Sequence, residues 1–281
     1  MTSTNRLDHT VINVRFDMDD AEILFGQLGF TLTPRGYHSH GSINHLMMFE
    51  TDYLELLGLP AGEPPRRKDI RDAPVGINGL VFKTDNVDEV FAHLQSLGFD
   101  GEPPKAFHRP VEMDGESRDA KFRTVTARGD VFPAGRVYFC EHGTPELVWR
   151  PEWQTHANGV FAILEFVSVA RDAGGEAANF AKLLGTEVRT DTTGGRYSDV
   201  GEARITTLTM DQYEDRYGAL ASIMDERNSI FGALVFLTRD QDALNDLLDE
   251  VPAGLGVEIH DGRTVVRANE FDAVMEFVAA D

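Results

Sequence analysis

The segment LDHTVINVRFDMDDAEILFGQLGF, residues 7–30, decides how the rest of the chain is read. It opens on an apolar strand carrying His9 and breaks at an acidic turn. It then continues as an amphipathic helix with Ala21, Leu24, Phe25 and Leu28 on one face. Gly29 follows the last helical leucine, where a left-handed residue can end a helix. A shorter echo, INGLVFKTDNVDEVFAHLQSLGF, spans 77–99, with Val87, Val90, Phe91 and Leu94 on one face and Gly98 at the stop. ILEFVSVARDAGGEAANFAKLLG, 163–185, aligns with the first copy without a gap, setting Glu165 on His9 and Gly185 on Gly29. FGALVFLTRDQDALNDLLDEV, 231–251, repeats the strand and helix with Ala233 at the His9 position.

After each helix come segments of strand character: HLMMFE then YLELLGL, KFRTVTA then RVYFCEH, RITTLTM, and RTVVRA. The pattern predicts an α+β fold of four βαβββ modules, paired 1–2 and 3–4 into two half-open barrels. Each barrel would enclose a cleft, with the helices outside. The domains are then 1–142, a junction at 143–159, and 160–281.

Composition narrows the function. The net charge is −21, from 47 acidic and 26 basic residues, which disfavours nucleic acid and anionic membranes as partners. The basic cluster RRKDIR at 66–71, broken by an aspartate, reads as a solvated loop. No apolar run is long enough to span a bilayer, and the first ten residues lack a signal-peptide pattern, so a soluble cytoplasmic protein is expected. Cys140 is the single cysteine, so a metal would have to be held by histidine and carboxylate.

LDHTVINV, GFTLTPRGYHSHGSINHLMMFETDYLELLGL and FCEHGTPELVWRPEWQTHANG together resemble the vicinal-oxygen-chelate superfamily, in its glyoxalase-like bacterial branch. That superfamily includes glyoxalase I, extradiol dioxygenases and bleomycin-resistance proteins. The resemblance implies one divalent metal (Zn, Ni, Mn or Fe), no nucleotide cofactor, and ligands from a histidine on a module's first strand and a glutamate on its last. His9 and Glu55 supply that pair in module 1, and Glu55 would also be the catalytic carboxylate. In module 2 the His9 position is Gly79, and aligning LELLG with FCEHG sets Cys140 on Glu55, leaving His142 on the same face as a third ligand. Modules 3 and 4 carry Glu165 and Ala233 at the key positions, which disfavours ring cleavage by a two-histidine, one-carboxylate site.

Each residue also has a plainer reading. His9 can be a hydrogen-bonded residue at a strand end, and Glu55, in an otherwise apolar strand, can be paired with histidine or arginine in place of metal. His38 and Asn44, in RGYHSHGSINHL, are either substrate contacts at a pocket rim or parts of a turn. Trp149 and Trp153 either seal the junction or fold over the N-terminal cleft, bringing Arg150 and His156 to a ligand. The polar stretch 100–120 reads as a loop, with Phe107, His108 and Arg109 its most ligand-like residues. Two functions remain: a metal-dependent lyase or isomerase acting on a small oxygenated metabolite, or a metal-free small-molecule binding protein. The C-terminal pair would be a degenerate copy serving interdomain or homodimer packing.

Overall fold

In the computed structural model, which describes residues 6–62, 64, 66–113, 115–260 and 262–280, all four segments fold as strand, helix and three strands. Module 1 comprises β1 (Arg6–Arg15), α1 (Met18–Gln27), β2 (Gly36–Tyr37), β3 (Ile43–Met48) and β4 (Tyr53–Gly58). A short helix, α2 (Lys68–Asp72), leads to module 2: β5 (Gly76–Lys83), α3 (Val87–Leu97), β6 (Lys105–Met113), β7 (Glu116–Thr126) and β8 (Arg136–His142). Module 3 holds β9 (Val160–Ala170), α4 (Ala173–Leu184), β10 (Arg189–Thr190), β11 (Arg196–Val200) and β12 (Ala203–Leu208). After α5 (Met210–Tyr217), module 4 runs β13 (Ser229–Thr238), α6 (Gln241–Leu247), β14 (Leu255–His260), β15 (Arg263–Ala268) and β16 (Ala273–Ala279).

Glycine ends three of the four module helices as the pattern predicts, with Gly29, Gly98 and Gly185 at φ of +82°, +71° and +63°. Gly29 is also confined by its neighbours, because a Cβ there would lie 2.9 Å from the Asn158 amide nitrogen. In module 2 the start is fixed too, since Asn86 accepts from the amides of Asp88 and Glu89.

Each module pair forms one continuous eight-stranded sheet, ordered β2-β3-β4-β1-β5-β8-β7-β6 and β10-β11-β12-β9-β13-β16-β15-β14. The central strands β1 and β5, and likewise β9 and β13, run antiparallel and relate the two modules by an approximate twofold axis. In the N-terminal half the sheet's outer edges meet, the amide of Ser39 donating to the His108 carbonyl at 2.8 Å. The barrel is thereby nearly closed around its cleft.

One apolar core joins both halves, because α1, α3, α4 and α6 bury their inner faces between the two sheets. Phe30 sits near its middle, with ring centroids 5.9 Å from Phe236, 6.2 Å from Phe277 and 6.3 Å from Phe49. Two smaller clusters fill the concave sides: one around Val11, Leu46 and Phe122, the other around Tyr213 and Tyr217.

Asp52 ties the halves together, its buried Oδ1 accepting from the Ile163 amide at 3.0 Å. Burial raises its pKa from 3.8 to about 7, outweighing the Ile163 hydrogen bond. The folded chain therefore keeps a proton here that the unfolded chain releases, so this group favours folding below its ordinary pKa. That contribution disappears as pH rises through about 7. Asp52→Asn is expected to raise stability at about pH 8 by ~2 kcal/mol and to change it little near pH 4, as read by thermal denaturation at both pH values.

Candidate active site in the N-terminal cleft

A bulge shapes the first site strand. Leu7 lies opposite Phe82 and His9 opposite Val81, which leaves Asp8 as an extra residue in β1. Leu7 can then join Ile12 and Val14 in the central core while Val11 faces the cleft, and Asp8 and His9 both turn to the concave side. Equivalent irregularities fall at Asn78, Leu164 and Gly232. The registers thus superpose His9 on Gly79, and Glu165 on Ala233.

Pairing with the last strand of each module locates the second key position. Val11 stands beside Glu55 and its symmetry mate Val81 beside Tyr138, while Val167 and Val235 stand beside Thr206 and Glu276. The residue equivalent to Glu55 in module 2 is therefore Tyr138 and not Cys140. The four central positions are His9, Glu55, Gly79 and Tyr138 in the N-terminal half, and Glu165, Thr206, Ala233 and Glu276 in the C-terminal half.

In the N-terminal half these positions line a cavity of about 820 Å³, within the usual ~300–1,000 Å³ of ligand sites. His9 Nε2 lies 3.6 Å from Glu55 Oε2 and 3.3 Å from the Tyr138 hydroxyl. His9 and Glu55 are both buried, and each is held from behind. Asp8 Oδ2 engages His9 Nδ1 at 2.7 Å, while Asn44 Nδ2 donates to Glu55 Oε1 at 2.7 Å. Tyr53 stacks on the His9 ring at 4.3 Å. Asp8 is fully buried; burial alone would raise its pKa, but the imidazoles of His142 and His9 hold it well below the usual carboxylate range. Such a carboxylate fixes the imidazole so that Nε2 faces the cleft.

His9 and Glu55 fit one divalent cation as a partial site. Their free atoms converge, their other atoms are committed, and imidazole with carboxylate suits Zn, Ni, Mn or Fe. The other two positions do not complete it. Gly79 has no side chain, and a Cβ there would lie 2.7 Å from Val11 Cγ2 and 3.7 Å from the Tyr138 ring. Burial drives the Tyr138 phenol far above its ordinary pKa, so it remains a neutral hydroxyl.

Three residues expected at the site are elsewhere. His142 does not line the cavity; its Nε2 is 3.0 Å from Asp8 Oδ2, the oxygen that also meets His9 Nδ1. In this arrangement it supports the Asp8–His9 pair, and Glu55 is not among its partners. His156 is packed at the junction, taking the Thr31 amide at Nδ1 and reaching the Met48 carbonyl with Nε2, so no ring nitrogen remains for a ligand. Arg150 pairs with Glu152 and lies over Trp153, away from the cavity. Ligand atoms of Asp8, Cys140 and His142 do come within 4.8 Å of one another. Burial raises the Cys140 thiol well above its ordinary pKa.

His38 and Asn44 do line the cavity. His38 Nδ1 contacts Ser42 Oγ at 2.9 Å, and burial with His40 and Arg109 nearby keeps it neutral. His40 stacks on Phe107 at 4.6 Å, its pKa lowered to about 4 by burial and Arg67. His45 faces away, bonded to the Thr33 carbonyl.

Two expectations about loops are corrected. The stretch 100–120 contains β6 and the start of β7, a hairpin that puts Phe107 and Arg109 on the cavity wall and leaves His108 exposed. RRKDIR is no solvated loop: Arg66, Arg67 and Lys68 line the cavity, and Ile70 is buried. The cavity wall carries seven Lys or Arg residues and three carboxylates, reversing the charge balance of the whole chain.

The C-terminal cleft is closed by its own chain. Tyr213 and Tyr217 of α5 fill it, and Arg216 enters between the two surviving carboxylates. Its Nη2 lies 2.9 Å from both Glu165 Oε2 and Glu276 Oε2, while Arg263 Nε holds Glu276 Oε1 at 2.7 Å. A guanidinium occupies the place between these two carboxylates where a cation would otherwise sit.

The paired half-barrels and the His9–Glu55 cleft define a vicinal-oxygen-chelate protein. Residues 7–184 match the model of the glyoxalase-like domain, and the chain belongs to that family. A search of curated proteins returns no significant match. Among solved structures, a hypothetical protein from Staphylococcus aureus superposes with TM-score 0.68 at 12% identity, over 98% of this chain and 100% of that one. A triple mutant of 4-hydroxymandelate synthase from Streptomyces coelicolor gives 0.58 at 12% identity, over 98% and 92%. A fusion of a xylose isomerase-like TIM barrel with 4-hydroxyphenylpyruvate dioxygenase gives 0.60 at 9% identity, over 99% of this chain and 49% of that one. At these identities the likeness is one of fold. No helix among the described residues is long and apolar enough to cross a membrane.

Proposed function

We propose that the chain is a divalent-cation-dependent enzyme of the lyase or isomerase type, acting on a small oxygenated metabolite in the N-terminal cleft. One observation carries this reading: His9 Nε2 and Glu55 Oε2 converge at 3.6 Å on a ligand-sized cavity, each anchored from behind. A cation held by His9 and Glu55 would supply Lewis acidity at a substrate oxygen. Around it, the chain's own groups have distinct tasks. Asp8 orients His9, and Asn44 orients Glu55. Glu55 is the carboxylate placed to move a proton, and the Tyr138 hydroxyl, kept neutral by burial, can donate a hydrogen bond to a substrate oxygen. Phe107 and Phe122, stacked at 5.1 Å, form an apolar wall that limits water near the reacting atoms.

A second reading is favoured by Gly79 and Tyr138, which remove half of the expected ligand positions. In it, the Tyr138 hydroxyl is a partner of His9 Nε2, and the cleft binds a small molecule without metal. Elemental analysis of untagged protein reconstituted with Zn, Ni, Mn and Fe(II) separates the two. The enzyme reading expects close to one equivalent of one metal, lost in His9→Ala. Absence of metal after all four reconstitutions leaves the binding protein.

A further inference from the structure

Arg109 stands apart from the other basic groups of the cavity wall in being buried with no partner for its guanidinium, whereas Arg66 and Lys68 are exposed. Arg67 pairs with Asp69 at 2.6 Å, and Lys105 pairs with Glu102. Arg109 is only 4% exposed, yet its guanidinium makes no hydrogen bond or ion pair with any described residue, and Nη2 is buried without a partner. Burial of an unpaired guanidinium is costly, and 47 acidic residues were available to neutralise it. Desolvation lowers its pKa, and the neighbouring Tyr53 and Glu55 do not offset it.

A second buried atom nearby is also unsatisfied. Asn44 gives its Nδ2 to Glu55, but its Oδ1 has no partner. Asn44 Oδ1 and the Arg109 side chain both crowd Gly36: a Cβ there would collide with Asn44 Oδ1 and lie 3.3 Å from Arg109 Nη1. The free guanidinium is therefore set one short side chain away from the amide that orients Glu55. A group bound on Arg109 would direct the remainder of a ligand toward Glu55 and His9.

We propose that Arg109 receives a carboxylate of the ligand, so that this cleft takes an oxygenated acid with an apolar body. The proposal rests on reading the N-terminal cleft as the substrate site. One unpartnered guanidinium balances one negative charge, and its planar fork matches a carboxylate with two parallel hydrogen bonds. A phosphate dianion would need a second free cation at the same depth. In the cavity wall His38 is neutral, Arg67 is held by Asp69 and by His40 Nε2, Arg136 is bonded to Asn78 Oδ1 with Asp69 3.9 Å away, and Arg66 and Lys68 are exposed. Phe107 and Phe122 supply the apolar surface for the ligand's body.

The test is isothermal titration of the full chain, freed of metal by chelation, with phenylacetate, phenyl phosphate and 2-phenylethanol. Phenylacetate is expected to bind about tenfold or more tightly than 2-phenylethanol, since charge-assisted hydrogen bonds to a buried group have that worth. Arg109→Met should remove this preference while leaving 2-phenylethanol unchanged, and Arg109→Lys should retain part of it. Equal binding of phenylacetate and 2-phenylethanol to the wild type would overturn the proposal, even if the variants fail to fold. Tighter binding of phenyl phosphate than of phenylacetate would also overturn it. Because metal is absent from the titration, failure of the metal-dependent reading leaves this result intact, and the converse holds.

Discussion

Arg216→Met is expected to destabilise the chain by ~3 kcal/mol at neutral pH, among the largest effects of any single surface-reaching side chain. The reason lies in what α5 brings to the C-terminal cleft. Glu165 and Glu276 occupy two of the four positions that would hold a cation, with side chains 1% and 6% exposed. Arg216 contacts both carboxylates, and removing it leaves two buried charges facing one another, with Arg204 beside Glu165 and Arg263 and the Tyr217 hydroxyl beside Glu276. Burial would raise the Glu165 pKa, but the Arg216 hydrogen bond and charge hold it below its ordinary 4.5. A lowered carboxylate pKa stabilises the fold above the unfolded value and ceases to do so as pH falls through the folded one. The loss in Arg216→Met should accordingly be large at about pH 7 and small near pH 4. Urea denaturation at both pH values reads this directly, and an equal loss at both would show that Arg216 acts through packing on Tyr217 alone.

The second large effect concerns Asp8. Asp8→Ala is expected to weaken divalent-cation binding by about 10–100-fold, the usual cost of removing a carboxylate behind a metal-binding histidine. His9 and Glu55 would both remain, so the loss measures orientation and not ligand number. His142 provides the contrast. Since its Nε2 ends on Asp8 and not in the cleft, His142→Ala should weaken the cation less than His9→Ala does. Titration calorimetry with Zn and Mn on the three variants orders them, and an equal loss for His142→Ala and His9→Ala would place His142 among the ligands.

Much of the architecture is legible in the sequence because it is local. Apolar strand, acidic break and amphipathic helix recur in all four modules, with the LG stop in the first three, and each is decided by its own residues. Glu55 is legible for a similar reason: a carboxylate within YLELLGL must find a partner when the strand is buried. Tyr138 is not. It and Cys140 are two residues apart on the same strand face, so side-chain alternation cannot choose between them. Only the parallel pairing of β5 with β8, which sets Val81 beside Tyr138, fixes the choice.

The bulge at Asp8 is hidden likewise, since alternation alone would send Asp8 and His9 to opposite faces. His142 looked like a ligand because it shares the cleft face, and nothing local reveals that Asp8 intercepts it. The Arg109 hairpin carried a usable signal in KAFHRPVEM, where Phe107, Arg109 and Val111 alternate with more exposed neighbours. Pro110 and the surrounding charge disguised that strand as a loop. Proline is tolerated there because β6 lies at the sheet's edge.

If His9 and Glu55 are the working site of the N-terminal cleft, a divalent cation should be seen directly between them. Anomalous diffraction from crystals of the untagged protein soaked in Zn or Mn tests it most directly. One strong peak is expected in the cleft, within bonding distance of His9 Nε2 and Glu55 Oε2. A peak instead among Asp8, Cys140 and His142, or between Glu165 and Glu276, would contradict it.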